Sequence, residues 1–146
     1  MPRAPFAIGE HSVAPGGRAT IDLPVSHLSD HTPVSMSVHV IHGKSDGPVV
    51  FVSAGIHGDE VIGVEIVRRL LRATARKAVK GTLIVIPIVN AFGFMNHSRY
   101  LPDRRDLNRS FPGSPAGSLA GHPAIAPARR VPARHRKGDG QGYPAV

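Results

Sequence analysis

The chain has 146 residues, no cysteine, 14 prolines, 16 glycines and a formal charge of +8. That length suits one ordinary domain with room for a core, while the missing cysteine excludes disulfides and thiolate metal sites and fits a cytoplasmic setting. The charge is uneven, because residues 1–113 hold 13 Lys/Arg against 9 Asp/Glu and residues 114–146 hold 5 against 1.

The opening MPRAPFAIGEHS has no apolar stretch of signal-peptide length, and no later run approaches a membrane span, so the chain reads as soluble. In TPVSMSVHVIHG, Val34, Met36, Val38 and Val40 alternate with Ser35, Ser37 and His39, which predicts a strand with one buried and one wet face. The earlier TIDLPV is its natural partner. Val49 to Ala54 and Thr82 to Val89 are nearly continuous apolar runs, the pattern of strands buried on both faces. Between them Ile62, Ile66 and Leu70 recur every four residues, with Val67 and Leu71 alongside and Arg68, Arg69 and Arg72 opposite, an amphipathic helix. Strand, helix and strand make a βαβ unit with parallel strands and a right-handed crossover. The predicted fold class is α/β, a mixed sheet with an antiparallel N-terminal edge and a parallel core.

Ligands in such sheets bind beyond the carboxyl ends of the strands. The stretch GIHGDE follows the first parallel strand there, and NAFGFMNHSRYLPDRRDLNRSFPG follows the second. His57 and Glu60, spaced H-x-x-E, place an imidazole in the turn and a carboxylate in the first helical turn, two groups that a metal such as zinc accepts. On spacing alone the better explanation is that Asp59 or Glu60 caps the helix and His57 is an ordinary turn residue. Gly55 and Gly58 bracket His57 and permit a tight turn. In the second segment an Arg–Asn pair suits a carboxylate and a further arginine suits an oxyanion, whereas a solvated loop held by Asp–Arg pairs is the bland alternative.

The motifs GIHGDE and NAFGFMNHSRYLPDRRDLNRSFPG, in this order and spacing between about Val34 and Leu119, resemble those of the succinylglutamate desuccinylase/aspartoacylase family of the zinc carboxypeptidase superfamily. The resemblance implies that His57 and Glu60 are zinc ligands, that Arg99 assists oxyanion stabilisation, and that Asn108 and Arg109 hold a substrate carboxylate, with Arg104 a weaker substrate contact. The implied reaction is zinc-dependent hydrolysis of the amide in a small N-acyl amino acid. The resemblance also implies a second histidine ligand and a glutamate acid/base further on. His122 and His135 are the only later histidines, and both lie among Pro, Ala or Arg without strand context.

Residues 1–120 therefore read as the N-terminal part of such a catalytic domain, and 121–146 as a basic Pro/Ala/Arg/Gly-rich tail, out of pattern and expected to be disordered. An incomplete sheet would keep an open edge and favour self-association. Three functions follow: a deacylase in incomplete form, a catalytically silent fragment binding a metal or an anionic ligand, and a basic module acting through its tail. The body shows no basic stripe interleaved with aromatics, which argues against nucleic acid as a partner.

Overall fold

In a computed structural model of the protein, residues 3–28, 30–75 and 78–110 are described. The expected disorder of the tail, and His122 and His135, lie outside these residues. A small antiparallel hairpin, β1 (Phe6–Ile8) and β2 (His11–Val13), precedes β3 (Arg18–His27) and β4 (Pro33–His42). The chain continues through β5 (Ser45–Ser53), α1 (Val61–Thr74), β6 (Lys80–Ile86) and the short α2 (Ala91–Met95), and a single 3-10 turn spans Leu107–Arg109.

The main sheet runs β3-β4-β6-β5. β3 pairs antiparallel with β4, placing Ile21 opposite Val38 and Leu23 opposite Met36, and a register shift falls between Pro24 and Ser26. β4 pairs antiparallel with β6, and β6 pairs parallel with β5. This is the mixed sheet the sequence predicts.

β6 lies between β4 and β5 in the sheet, and both of its faces are covered. Ile84 and Ile86 enter the larger core with Met36, Val38, Phe6 and Ile8, and Leu83 and Val85 meet Val67 of α1. The uninterrupted apolar run has that physical origin. The expectation fails for the other run: β5 is an edge strand among the described residues, and none of its residues falls in the fully buried class. The helical stripe also needs correction. Val67 is the one fully buried residue of α1, while Ile62 and Ile66 are exposed. The apolar arc of α1 is wider than the sheet can cover, so spacing alone could not tell which side would be buried.

Far from the carboxyl ends of the parallel strands, the Arg3 guanidinium donates to the carbonyls of Gly43, Ser45 and Gly81 and to Thr82 Oγ1. It thereby clasps β4, β5 and β6 together. Among the described residues, no helix is long and apolar enough to cross a membrane.

The segment after β6 is anchored by Leu101 and Leu107, both buried in the larger core. Leu107→Ala should cost about 2–5 kcal/mol through transfer and cavity terms, whereas Ile62→Ala should stay within about 0.5 kcal/mol as an exposed change. Urea unfolding of both variants checks the contrast.

Candidate metal and carboxylate site

The carboxyl ends of β5 and β6 are stapled by backbone bonds from Ala54 to Ile86, from Val89 to Ala54 and from Asn90 to Gly55. Gly55 has φ +61, a left-handed conformation that turns the chain out of β5. Gly58 lies so close to α2 that an added Cβ would collide with the Gly93 carbonyl, and its N–H donates to the Ser98 carbonyl. Asn90 is buried between these pieces: its Oδ1 accepts from the Gly93 N–H at 2.7 Å, and its Nδ2 donates to the Ile56 carbonyl at 3.3 Å. The loop holding His57 is thus fixed against the start of the second segment.

His57 is only 4% exposed. Its Nδ1 lies 2.7 Å from Glu60 Oε1 and its Nε2 lies 3.0 Å from Asp106 Oδ1. Ionised carboxylates only accept, so both ring nitrogens donate and the ring is an imidazolium when both acids are charged. Burial opposes that charge, but the hydrogen bonds to Glu60 and Asp106 outweigh it and hold the His57 pKa above 6.5. Asp106 is drawn down to about 2, first by the His57 hydrogen bond and then by the Asn108 N–H and Arg99, against some desolvation.

Glu60 occupies the N-cap position of α1, yet its side chain makes no capping hydrogen bond. Its carboxylate goes to His57 instead, which removes Glu60 from the capping explanation. Arg99 Nε and Nη2 donate to Asp106 Oδ2 at 3.2 and 3.0 Å. Asp106 also accepts from the Asn108 N–H at 2.9 Å, capping the 3-10 turn. One carboxylate therefore joins the imidazole of the first segment to the guanidinium of the second.

The structure brings His57 beside Glu60, and links Arg99 to His57 through Asp106. Asn108 and Arg109 lie exposed on the adjoining turn, and their side chains make no hydrogen bond among the described residues. Arg104 is exposed with φ +59 in the turn that reverses the chain, and nothing links its side chain to His57. The linking role of Asp106 escapes sequence reading, because Asp103 is equally placed in the RDLNR neighbourhood. The available signal was the D-x-N turn, which puts a capping carboxylate two residues before Asn108.

His57 and Glu60 offer an imidazole nitrogen and a carboxylate oxygen side by side, and a carboxylate holds the other ring nitrogen, as metal-binding histidines require. Among the described residues no group of three or more His, Cys, Asp or Glu could hold a metal ion. The donors fit part of a zinc-type set.

Comparison with known proteins places these observations in context. The model of the succinylglutamate desuccinylase/aspartoacylase catalytic domain matches residues 46–135. An N-alpha-acetyl-L-2,4-diaminobutyric acid deacetylase of Halomonas elongata is 31% identical over 100 residues, covering 68% of this chain and 29% of that protein. A succinylglutamate desuccinylase of Burkholderia pseudomallei is 36% identical over 84 residues, covering 57% of this chain and 22% of its own. The solved structure of an aspartoacylase family protein from Mesorhizobium loti superposes with a TM-score of 0.68 at 30% identity, over 86% of this chain and 39% of that one. A metallo-carboxypeptidase of Burkholderia cenocepacia, at 15% identity and a TM-score of 0.53, shares the fold. The chain thus spans under a third of the length of these curated relatives.

The paired shifts set a pH dependence for the metal-free chain. Protonated His57 contributes stability that is fully present below pH 6.5 and is lost as pH rises through its raised folded value. Ionised Asp106 contributes stability present above 3.8 and lost as pH falls toward about 2. Asp106→Asn should lower the His57 midpoint, reduce stability between pH 3.8 and 6.5, and weaken the falls in stability on either side of that window. NMR titration of the His57 ring proton, with unfolding measured across pH, reads both.

Proposed function

Because the chain belongs to the succinylglutamate desuccinylase/aspartoacylase family, we propose that it carries the metal- and carboxylate-binding part of a hydrolase that cleaves the amide of small N-acyl amino acids. The observation carrying this reading is His57 held between Glu60 and Asp106, with Arg99 on the same Asp106. His57 and Glu60 would hold zinc, which when bound supplies a water of lowered pKa and a positive charge at the acyl carbonyl.

The chain's own residues have separable tasks. Asp106 fixes the plane of the His57 ring and sets which nitrogen remains for the metal side. It also restrains Arg99 through Nε and Nη2, leaving Nη1 uncommitted among the described residues to donate to an oxyanion. Asn108 and Arg109 present an amide and a planar guanidinium for a substrate carboxylate. Arg104, exposed nearby in sequence, is the weaker substrate contact.

A second reading rests on a specific observation: among the described residues no group of three or more His, Cys, Asp or Glu could hold a metal ion. On that reading the chain binds a metal or a carboxylate without turnover. Incubating the full chain with zinc and with N-acetyl and N-succinyl amino acids separates the two. Turnover that disappears in His57→Ala and Arg99→Ala supports hydrolysis. Weak zinc binding lost in His57→Ala, without turnover, supports the silent binder. Zinc binding that ignores His57→Ala rejects the ligand assignment in both.

The carboxylate pocket has its own test. Arg109→Ala should weaken binding of a small dicarboxylate by about 1.5–3 kcal/mol, the value of a charge-assisted hydrogen bond. Arg109→Lys should restore little, since an ammonium cannot reproduce the planar fork. Titration followed by NMR, with shifts read at Asn108, is the measurement.

A further inference from the structure

His57 and Arg99 sit on separate segments, and both segments are tied to the short helix α2. Ahead of His57, the Gly55 carbonyl accepts from the Asn90 N–H and the Ile56 carbonyl accepts from Asn90 Nδ2. Behind it, the Gly58 N–H donates to the Ser98 carbonyl, and Ser98, the residue before Arg99, donates its own N–H to the Gly93 carbonyl. The imidazole is therefore held from both sides, and the hold ends one residue short of the guanidinium.

Asn90 is the joint of this arrangement. It is 1% exposed, and besides its two bonds toward His57 its carbonyl accepts from the Phe94 N–H and its Oδ1 from the Gly93 N–H. Both side-chain partners are backbone groups of fixed polarity, so the orientation of the amide is determined. Capping α2 needs only an acceptor, which Asp, Ser or Thr would supply as well. The donor to Ile56 is what capping does not explain, and an ionised aspartate of the same shape lacks it. Space enforces the same fit. A Cβ on Gly93 would meet both Asn90 Nδ2 and the Ser98 carbonyl, so the three pieces touch with no side chain between them to absorb a shift.

We propose that Asn90 is a positioning residue of the hydrolytic site. Its bond to Ile56 fixes the turn that aims the His57 ring, and its cap on α2 fixes the start of the Arg99 segment relative to that ring. The catalytic meaning of this role rests on the proposed function, whereas its mechanical meaning rests on the hydrogen bonds alone. Removing a group that orients a metal ligand costs about 10- to 100-fold in metal affinity. Asn90 acts one link further out, which sets the expectation at the low end.

Asn90→Asp keeps the acceptor for Gly93 and removes the donor to Ile56, while Gly93→Ala keeps the amide and pushes on it from α2. Arg3→Ala, at the remote end of the sheet, serves as a chain destabilised elsewhere. Below pH 6.5 the unaltered protein should show two downfield ring N–H proton signals of His57, from Nδ1 and Nε2. Both should broaden or vanish in Asn90→Asp and Gly93→Ala and persist in Arg3→Ala. Calorimetry with zinc alone should give a dissociation constant raised on the order of tenfold in the first two variants and unchanged in the third. Ring signals that survive in Asn90→Asp overturn the proposal, as does their equal loss in Arg3→Ala, which would make them a measure of stability alone. Should the substitutions prevent folding, hydrogen exchange of the unaltered chain decides: the amides of Gly58, Asn90, Gly93 and Ser98 are expected to open as one unit, and separate opening overturns the proposal. A chain that binds no zinc, yet loses the ring signals in Asn90→Asp, would refute the proposed ligands and leave the positioning role standing.

Discussion

The two-sided burial of β6 is the constraint on which the rest of the molecule depends. Every residue of β6 after Lys80 is buried, with Leu83 and Val85 packed in the cluster under α1 and Ile84 and Ile86 in the larger core, so this strand has no wet face. The first cluster places α1, and with it the turn that carries His57. The second draws in Leu101 and Leu107, and with them the segment that carries Arg99, Asp106 and Arg109. Two stretches 49 residues apart at the His57–Asp106 contact meet because both are attached to opposite faces of one strand.

Asp106 converts that proximity into chemistry. It stands beside a buried imidazolium and an arginine, with an N–H of its own turn completing its coordination. A lone carboxylate in this place would raise its pKa on burial; three donors reverse the sign. Glu60, by contrast, is more than half exposed on its side chain, and its carboxylate bonds to His57. The two acids that flank the ring thus differ in kind, one a fixed support and the other a group facing open space and available to a further ligand.

Much of this was legible in the sequence. Alternation in Val34 to Val40 and the apolar runs around α1 are local signals, and the topology rule then fixes where His57 and Arg99 converge. The hairpin of β1 and β2 was not legible, because strands of three residues carry too little periodicity to register. The exposed flank of α1 was hidden for a different reason: Ile62, Ile66 and Val67 are equally apolar, and only the width of the covering sheet decides among them. Asp103 and Asp106 are likewise equivalent on paper. Their roles diverge because Leu107 is buried and orients the residue before it, while Asp103 accepts from the Arg105 N–H within an exposed turn.

The clasp made by Arg3 has a consequence for the order in which the fold forms. Its partners lie 40, 42, 78 and 79 residues further along the chain. During synthesis this arginine leaves the ribosome well before its partners, and it has nowhere to bind until β6 has emerged and paired. Contacts of such long range are entropically costly and form late. Arg3 is therefore made before its partners and placed after them, and the β4–β5–β6 end remote from the candidate site stays unclasped until β6 is complete.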